Sequence, residues 1–327
     1  MSLNFQMYSS NSILVVSPNE KTDILSDCFD LPIFALGYES RCTYFFEKST
    51  VNQQTAIVLE LPIQDEDLHL KNKKIYTDKN VTPFNFRPEE LLCFLRERIH
   101  SLKKNQVTIL LDISSFPRLY IAQILHSFYL ITSSDIQIDI TICYTPAVYF
   151  PPKEDGPIVS AGPVLRELAG WPDDPNLPIG CVIGLGHEDG KALGIIEYIE
   201  PNKVWCLTPI GKDKRYLQSV GKASEGLKNL DSVVSISYLI SKPYKTYKEL
   251  NSLISSLVES NRMVLVPFGP KIIFAISTIV TLQHLPNLSL WRVSSESNSA
   301  LVDSEASGEN CYIDVSFRSR DCDPLVI

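Results

Sequence analysis

Four short motifs carry the residues best suited to bind an anion. Each joins an apolar, strand-like run to a helix-like run and brings a cation to the junction. The four cations are Arg41, Arg118, Lys191 and Lys271. Arginine holds a phosphate through two parallel hydrogen bonds, and lysine acts as a point charge. Because ligands of open parallel sheets bind where strands end and helices begin, the motifs predict a phosphate-binding cleft.

The motifs form two matching pairs. Leu36 to Arg41 reads Leu-Gly-Tyr-Glu-Ser-Arg, and Leu185 to Lys191 reads Leu-Gly-His-Glu-Asp-Gly-Lys. Asp112 to Arg118 and Pro267 to Lys271 both close a strand and open a helix with a proline and a cation. This shared order and spacing predict an internal duplication. The alternative is two unrelated α/β halves whose strand-to-helix turns look alike.

The candidate ligand-binding residues lie in these motifs or at a strand end beside them. They are Gly37, Tyr38, Glu39, Arg41, Asp112, Ser114, Ser115, Arg118, Tyr144, Gly186, His187, Glu188, Lys191, Gly269 and Lys271. Three of them, Glu39, Glu188 and Asp112, are also candidate catalytic groups, because a carboxylate can act as a nucleophile or as a general acid or base.

Several candidates have a second, structural interpretation. Glu39 can form a local bridge to Arg41, and Asp112 can cap the following helix through the amide of Ser114 or Ser115. Arg118 and Lys271 are harder to explain in this way. A cation in the first turn of a helix opposes the helix dipole, so two such cations favour a functional role.

The spacing disfavours several common sites. Ser114 and Ser115 do not lie in a GxSxG elbow, and no GxGxxG follows a strand. The basic loop 209–215 lacks the P-loop frame, and we interpret it as a solvated loop or a phosphate contact. We interpret one acidic group as a solvated loop rather than a metal site; it comprises Glu60, Asp65, Glu66 and Asp67. The scattered histidines and cysteines predict neither a metal nor a cofactor.

The elements that must position these motifs are short apolar strands alternating with amphipathic helices. Strands are predicted at 32–36, 55–61, 107–113, 136–144, 179–185, 203–208, 233–238, 262–267 and 288–293. Helices are predicted at 88–103, 119–131, 217–229, 247–259 and 272–282. Strands that are apolar on both faces indicate parallel sheets covered by helices. The predicted fold is α/β, with two tandem Rossmann-like domains and mainly parallel sheets.

Length and composition agree with this organisation. The 327 residues are enough for two domains: 1–150, a proline-rich linker at 151–178, and 179–327 with a polar tail. The tail contains a strand-like run at 311–317, which we expect to be a hairpin edge or partly mobile. The net charge of −8 argues against tight binding to duplex nucleic acid. We expect no membrane span, no secretory signal and a cytoplasmic location with reduced cysteines.

The strand-end motif followed by a second motif that opens a helix resembles the layout of CRISPR-associated Rossmann-like (CARF) sensor domains. A fused pair resembles the SAVED sensors of bacterial anti-phage systems. In those families, the cleft between two Rossmann-like units binds cyclic oligonucleotides, and the second motif typically reads Gly-Gly-x-Lys. Phe268 to Lys271 matches that motif in part, and Ser114 to Arg118 matches it more loosely. The resemblance implies a nucleotide sensor that acts with a partner.

We expect a bacterial protein, and three hypotheses follow for its function. The first is a nucleotide-binding sensor, with a phosphate-bearing ligand and a protein partner or a second copy of the chain. The second is a nucleotide-processing enzyme, of the phosphoribosyl- or glycosyl-transfer type or a phosphodiesterase, that uses Glu39 or Glu188. The third is a structural subunit of a larger complex. Only the third predicts that Arg41, Arg118 and Lys271 lie far apart.

Overall fold

A computed structural model describes residues 12–17, 24–152, 156–170, 174–230, 232–295 and 303–319. The strands are β1 (Ser12–Ser17), β2 (Leu31–Leu36), β3 (Ile57–Glu60), β4 (Phe84–Asn85), β5 (Gln106–Asp112), β6 (Gln137–Tyr144), β7 (Ile158–Pro163), β8 (Ile179–Gly184), β9 (Lys203–Ile210), β10 (Val233–Leu239), β11 (Arg262–Pro267), β12 (Leu288–Ser295) and β13 (Cys311–Ser319). The α-helices are α1 (Tyr44–Lys48), α2 (Glu66–Asp78), α3 (Leu91–Ser101), α4 (Arg118–Ile131), α5 (Lys191–Ile199), α6 (Lys214–Ala223), α7 (Pro243–Leu257) and α8 (Lys271–Gln283). The strands and helices predicted above are present with small shifts at the ends, except that the predicted helix 217–229 is divided into α6, which ends at Ala223, and a short 3-10 helix at Glu225–Asn229.

The strands form two sheets that repeat one parallel arrangement. The first sheet has the order β1-β13-β6-β5-β2-β3-β4, and the second has the order β10-β9-β8-β11-β12-β7. The five parallel strands run β6-β5-β2-β3-β4 in the first half and β12-β11-β8-β9-β10 in the second. This is the same chain order in both halves. The α/β fold with two tandem Rossmann-like units is therefore confirmed, and the repeated order is what an internal duplication produces.

The two halves exchange their last strands. β7 follows β6 in the chain, yet it pairs antiparallel with β12 in the second sheet. β13 follows β12, yet it pairs antiparallel with both β6 and β1 in the first sheet. Two expectations change as a result. The proline-rich segment 151–178 contains a strand of the second sheet, and the run at 311–317 belongs to the first sheet rather than to an edge of the second.

One predicted loop is a helix. Asp65 caps the beginning of α2, and its side chain accepts a hydrogen bond from the Leu68 amide at 3.0 Å. Glu66 and Asp67 lie in the first turn, where acids favour the helix dipole. The interpretation of this acidic group as a solvated loop is therefore wrong.

α8 joins the two halves into a single core. Ile272 to Leu282 are all buried, as expected for a helix that is apolar on every side. α8 packs against α4, α7 and strands of both sheets, and the largest buried cluster includes residues from both halves. α4 and α8 are the helices that follow the fourth parallel strand of each half. Their packing brings both of their N-termini to one place, between the carboxyl edges of the two sheets.

Candidate functional site

The site is built on two equivalent turns. Pro117 precedes α4 with φ −58° and ψ 148°, and Pro270 precedes α8 with φ −54° and ψ 147°. Proline suits this position because its missing N–H would be unpaired at the start of a helix. The next residue in each case is the cation. The matching backbone angles place Arg118 and Lys271 in the same position of their respective halves.

Each cation reaches into the opposite half. Arg118 NH2 donates to the carbonyl oxygen of Gly269 at 2.7 Å and also contacts the carbonyl oxygen of Phe268. Lys271 Nζ donates to the carbonyl oxygen of Ser114 at 2.8 Å. The two turns are therefore joined by reciprocal hydrogen bonds. This arrangement explains how cations are tolerated in the first turn, because carbonyls of the other half compensate for the opposing dipole.

Glu39 is the anion that faces Lys271. Its carboxylate accepts from Arg41 Nε at 3.1 Å and from Arg41 NH2 at 3.2 Å, and it lies 3.6 Å from Lys271 Nζ. Burial alone would raise the pKa of Glu39, but Lys271 and Arg41 outweigh it and lower the pKa to about 2. The local bridge to Arg41 is therefore present, and it is only part of the environment of this carboxylate.

Lys271 lies at the centre of the cations. Burial lowers its pKa to about 7; Glu39 opposes this change, while the positive charges of Arg41 and Arg118 reinforce it. Arg41 and Arg118 are thus both close enough to act on the Lys271 ammonium. The three cations converge, contrary to what the structural-subunit hypothesis predicts.

The second half repeats the carboxylate but surrounds it with aromatic rings. Glu188 Oε1 lies 4.0 Å from Arg118 NH2, as Glu39 lies near Lys271. His187 contacts Tyr216 edge to face, with 5.6 Å between ring centroids. Tyr238 is fully buried nearby, and its hydroxyl lies 3.3 Å from the place that a Cβ of residue 269 would occupy.

Several buried polar atoms in this second half-site have no hydrogen-bond partner among the described residues. These atoms are Arg118 Nε, His187 Nδ1, Glu188 Oε2 and the Tyr238 hydroxyl. Buried polar groups are normally paired, and an unpaired group costs about 1–3 kcal/mol. A cluster of them beside a cation therefore marks a place where a polar ligand would complete the hydrogen bonds.

Asp112 organises the turn that precedes α4. It accepts from the amide of Ser114 at 2.9 Å and from the Ser114 hydroxyl, and that hydroxyl accepts from the Thr145 amide at 2.8 Å. Burial raises the pKa of Asp112 to about 6, against the hydrogen bonds from Ser114 that lower it. The predicted hydrogen bond from the Ser114 amide is therefore present, but Asp112 caps the turn before α4 and not the helix itself, whose N-cap is Pro117. Because Ser114 is fully buried, it is not accessible as a nucleophile.

The remaining predicted residues lie around this centre in different ways. Ser115 contributes to the low pKa of Glu39, and the buried Tyr144 hydrogen-bonds to Arg41. Gly37 offers its carbonyl oxygen to Asn72, and Gly186 leaves the room that the Glu188 carboxylate occupies. Tyr38 is half-buried next to Glu39, and burial raises its pKa. Lys191 begins α5, and the structure gives it no described contact with Arg118 or Lys271.

Other residues of the site were missed in the sequence. Asn72 donates to the carbonyl oxygens of Gly37 and Glu39 at 2.9 and 3.1 Å and so fixes the first motif. Thr145 supplies a carbonyl oxygen to Arg41 at 3.3 Å. Tyr216 and Tyr238 form the aromatic wall. An aromatic residue at the end of a strand, as Tyr238 is, was the available signal, but it does not distinguish a site from a core.

The other charged loops do not join the site. Lys212 pairs with Glu309 at 2.5 Å and Arg215 pairs with Asp213 at 2.6 Å, which favours the solvated-loop interpretation of 209–215. No group of three or more metal-ligating side chains is found in the part of the chain that the structure describes. In that same part, no helix has the length and apolar character needed to cross a bilayer.

Comparisons with known proteins do not assign a family. No family model matches the chain, and no curated protein matches its sequence. One similar solved structure is the cytoplasmic domain of a prokaryotic cation chloride cotransporter. The likeness has a TM-score of 0.23 and 9% sequence identity, and it covers 81% of this chain and 95% of the other. At this level of similarity, the function has to be inferred from the site itself.

Proposed function

We propose that the cleft between the two halves binds a phosphate-bearing ligand of the nucleotide class. The observation that carries the proposal is the convergence of Arg41, Arg118 and Lys271 on one buried place at two helix N-termini. The lowered pKa of Lys271 supports it, because excess positive charge at a buried place is relieved by an anion. Preformed cations and helix N-termini are the usual means of holding a phosphate.

The unpaired polar atoms support a ligand rather than a purely structural contact between the halves. A structural contact would leave Arg118 and Glu188 fully paired. Instead, Arg118 Nε and Glu188 Oε2 are buried without partners among the described residues, on the same side as the aromatic wall. Phosphate oxygens would satisfy the guanidinium, and hydroxyl or amino groups of a nucleoside would satisfy the carboxylate.

The environments of Glu39 and Asp112 favour binding over catalysis by these two carboxylates. A general acid or base works best with a pKa near the operating pH. The pKa of Glu39 is lowered to about 2, so this carboxylate stays ionised and acts as a fixed charge. Asp112 has the raised pKa of a catalytic acid, but it is buried beneath the Ser114 turn and hydrogen-bonded there.

We extend the proposal to a sensor-type protein of the cytoplasm. The role in sensing, the partner protein and the place in anti-phage defence rest on the resemblance to CARF and SAVED domains. The seven cysteines in the described residues are free thiols, which agrees with a reducing compartment. The paired half-sites provide a means of signalling, because a ligand that contacts both turns would change how the halves are held together.

Native mass spectrometry of the protein purified from its own host tests the proposal. We expect a co-purifying nucleotide that is lost in the Arg118→Ala, Lys271→Ala double variant. Lys245→Ala is the matched control, since Lys245 is an exposed cation on α7 that pairs with Glu249 at 3.6 Å. If nucleotide panels and inorganic pyrophosphate bind equally to the double variant and to the control, the cleft is not the binding site.

A further inference from the structure

A cavity of about 390 Å³ opens on one side of the two turns. It lies between the first turn of α4 and the carboxyl ends of β11 and β12. Arg118 and Lys271 line it, so it is continuous with the cations of the cleft. Three further lining residues are aromatic, namely Tyr120, Phe268 and Trp291. This volume is in the range of small-molecule sites and is suited to one nucleotide rather than several.

The equivalent turn in the other half has different side chains around it. Ser114 is fully buried there, and Thr145 and Arg41 are 1% and 6% exposed. Arg41 NH1 donates a hydrogen bond to the carbonyl oxygen of Thr145. The two half-sites therefore share a backbone arrangement but differ in their side chains.

The chemistry of the two half-sites is unsymmetric as well. Near Lys271, the carboxylate of Glu39 is already held by Arg41 through two hydrogen bonds. Near Arg118, the carboxylate of Glu188 keeps a buried, unpaired oxygen among the described residues. Arg118 belongs both to this half-site and to the lining of the cavity. Both differences point to a ligand whose two ends are chemically unlike.

We infer that the ligand is a single nucleotide whose base enters this cavity and whose phosphate lies between Arg118 and Lys271. The inference rests on the proposed function and specifies the ligand of that same site. A base would contact the aromatic lining, since every base offers a flat face that stacks on aromatic side chains. Arg292, which is exposed at the cavity, supplies a further cation at its rim.

Isothermal titration calorimetry with defined probes tests this inference. The probes are the four ribonucleoside 5′-monophosphates, ribose 5-phosphate, inorganic pyrophosphate and cyclic di-AMP. We expect at least one monophosphate to bind tenfold or more tightly than ribose 5-phosphate. Arg292→Trp should fill the cavity and remove most of that tenfold advantage while ribose 5-phosphate still binds. Arg96→Trp, on the exposed face of α3, is the matched control and should bind as the unaltered protein does.

The remaining outcomes distinguish a failure of the single-nucleotide inference from a failure of the proposed nucleotide-binding function. If pyrophosphate and ribose 5-phosphate bind as tightly as the nucleotides, the cleft binds phosphate but the cavity does not hold a base. If cyclic di-AMP binds more tightly than every mononucleotide, the unsymmetric ligand is wrong and the nucleotide site remains. If none of the probes binds, the proposed function fails and this inference fails with it.

Discussion

Arg118 and Lys271 are the first residues of equivalent helices, and each donates a hydrogen bond to a backbone carbonyl in the other half of the molecule. Their neighbouring carboxylates follow the same rule, because Glu188 faces Arg118 and Glu39 faces Lys271. The strands are exchanged as well, with β7 and β13 each completing the opposite sheet. Three independent features thus cross between the halves around one pseudo-two-fold axis. A ligand in the cleft would therefore act on both halves together.

Binding of a phosphate-bearing ligand should take up protons near neutral pH. The pKa of Lys271 is about 7 in the free protein, and an adjacent anion raises it. Affinity should be highest below pH 7 and should fall by up to about tenfold per pH unit above it, until the pKa of the complex is reached. Calorimetry at pH 8 in two buffers of different ionisation enthalpy measures the proton uptake directly.

Lys271→Arg provides the control for this pH dependence. Arginine stays protonated throughout the range, so the variant should bind with little change between pH 7 and pH 9. An equally steep loss of affinity in Lys271→Arg would assign the proton to another group and contradict the role given to Lys271.

The stability of the protein should fall as the pH rises from about 4 to 6, because of Asp112. Burial raises the folded-state pKa of Asp112 to about 6, above the ordinary value of 3.8. The folded state therefore binds more protons than the unfolded state in this window, so ionisation favours unfolding. The full shift corresponds to roughly 3 kcal/mol. Glu39 acts in the opposite direction, since its lowered pKa makes stability rise with pH between about 2 and 4.5.

Asp112→Asn isolates this contribution. Asparagine keeps an oxygen that can accept from the Ser114 amide but carries no charge. Urea unfolding at pH 4, 5 and 6 should show a smaller loss of stability with rising pH in the variant than in the unaltered protein, because the variant has no carboxyl group to ionise at this position. Parallel curves for the two proteins would mean that Asp112 is ionised throughout.

Gly269→Ala should disrupt the reciprocal contact between the halves. A Cβ at this position would lie 2.5 Å from the carbonyl oxygen of Leu185 and 3.3 Å from the Tyr238 hydroxyl. The turn would have to move, and its carbonyls would move away from Arg118. We expect a loss of about 1–3 kcal/mol in the free energy of unfolding, and weaker nucleotide binding.

Gly221→Ala is the matched control for this substitution. Gly221 lies within α6, and a Cβ there meets nothing within 4 Å. Because alanine is favoured over glycine in a helix by about 1 kcal/mol, this variant should be slightly more stable and should bind normally. Equal melting temperatures for the two variants would contradict the close approach at Gly269.

The sequence was sufficient for the parallel strands and for the cations of the cleft. A run such as Val107 to Ile113 is largely apolar on both faces. This pattern is typical of a parallel strand that helices cover on both sides. Arg118 and Lys271 stood out because their charge opposes a helix dipole, a local conflict that can be recognised without a structure. The hydrogen bond between Asp112 and the Ser114 amide could be predicted from the place of Asp112 at the end of a strand, although it caps a turn and not the predicted helix.

The remaining features depend on contacts between residues that are far apart in the chain. β7 and β13 pair with strands more than 100 residues away in the chain. The local sequence pattern of a strand does not indicate which sheet, or which edge of a sheet, the strand joins. Tyr216 and Tyr238 were missed because a strand-end or helix-start tyrosine usually covers a core. The difference between the two half-sites could not be predicted either, because it depends on which side chains of distant segments pack around each turn.

Phe317→Ala tests the exchange of strands between the halves. Phe317 is fully buried in β13, near the end of the sequence, and it contacts Phe128 of α4 edge to face at 6.4 Å between centroids. Removing a buried phenylalanine costs about 3–5 kcal/mol. Because β13 lies in the first sheet, amide hydrogen exchange should accelerate first in β5 and β6, which are nearly 200 residues away in the chain, and later in β8 and β9.

Leu290→Ala is the matched control in the second sheet. Leu290 is also fully buried, in β12, and its replacement should accelerate hydrogen exchange first in β8 and β11. Faster exchange confined to the second sheet in Phe317→Ala would mean that β13 belongs to that sheet, and the reciprocal exchange of strands would have to be abandoned.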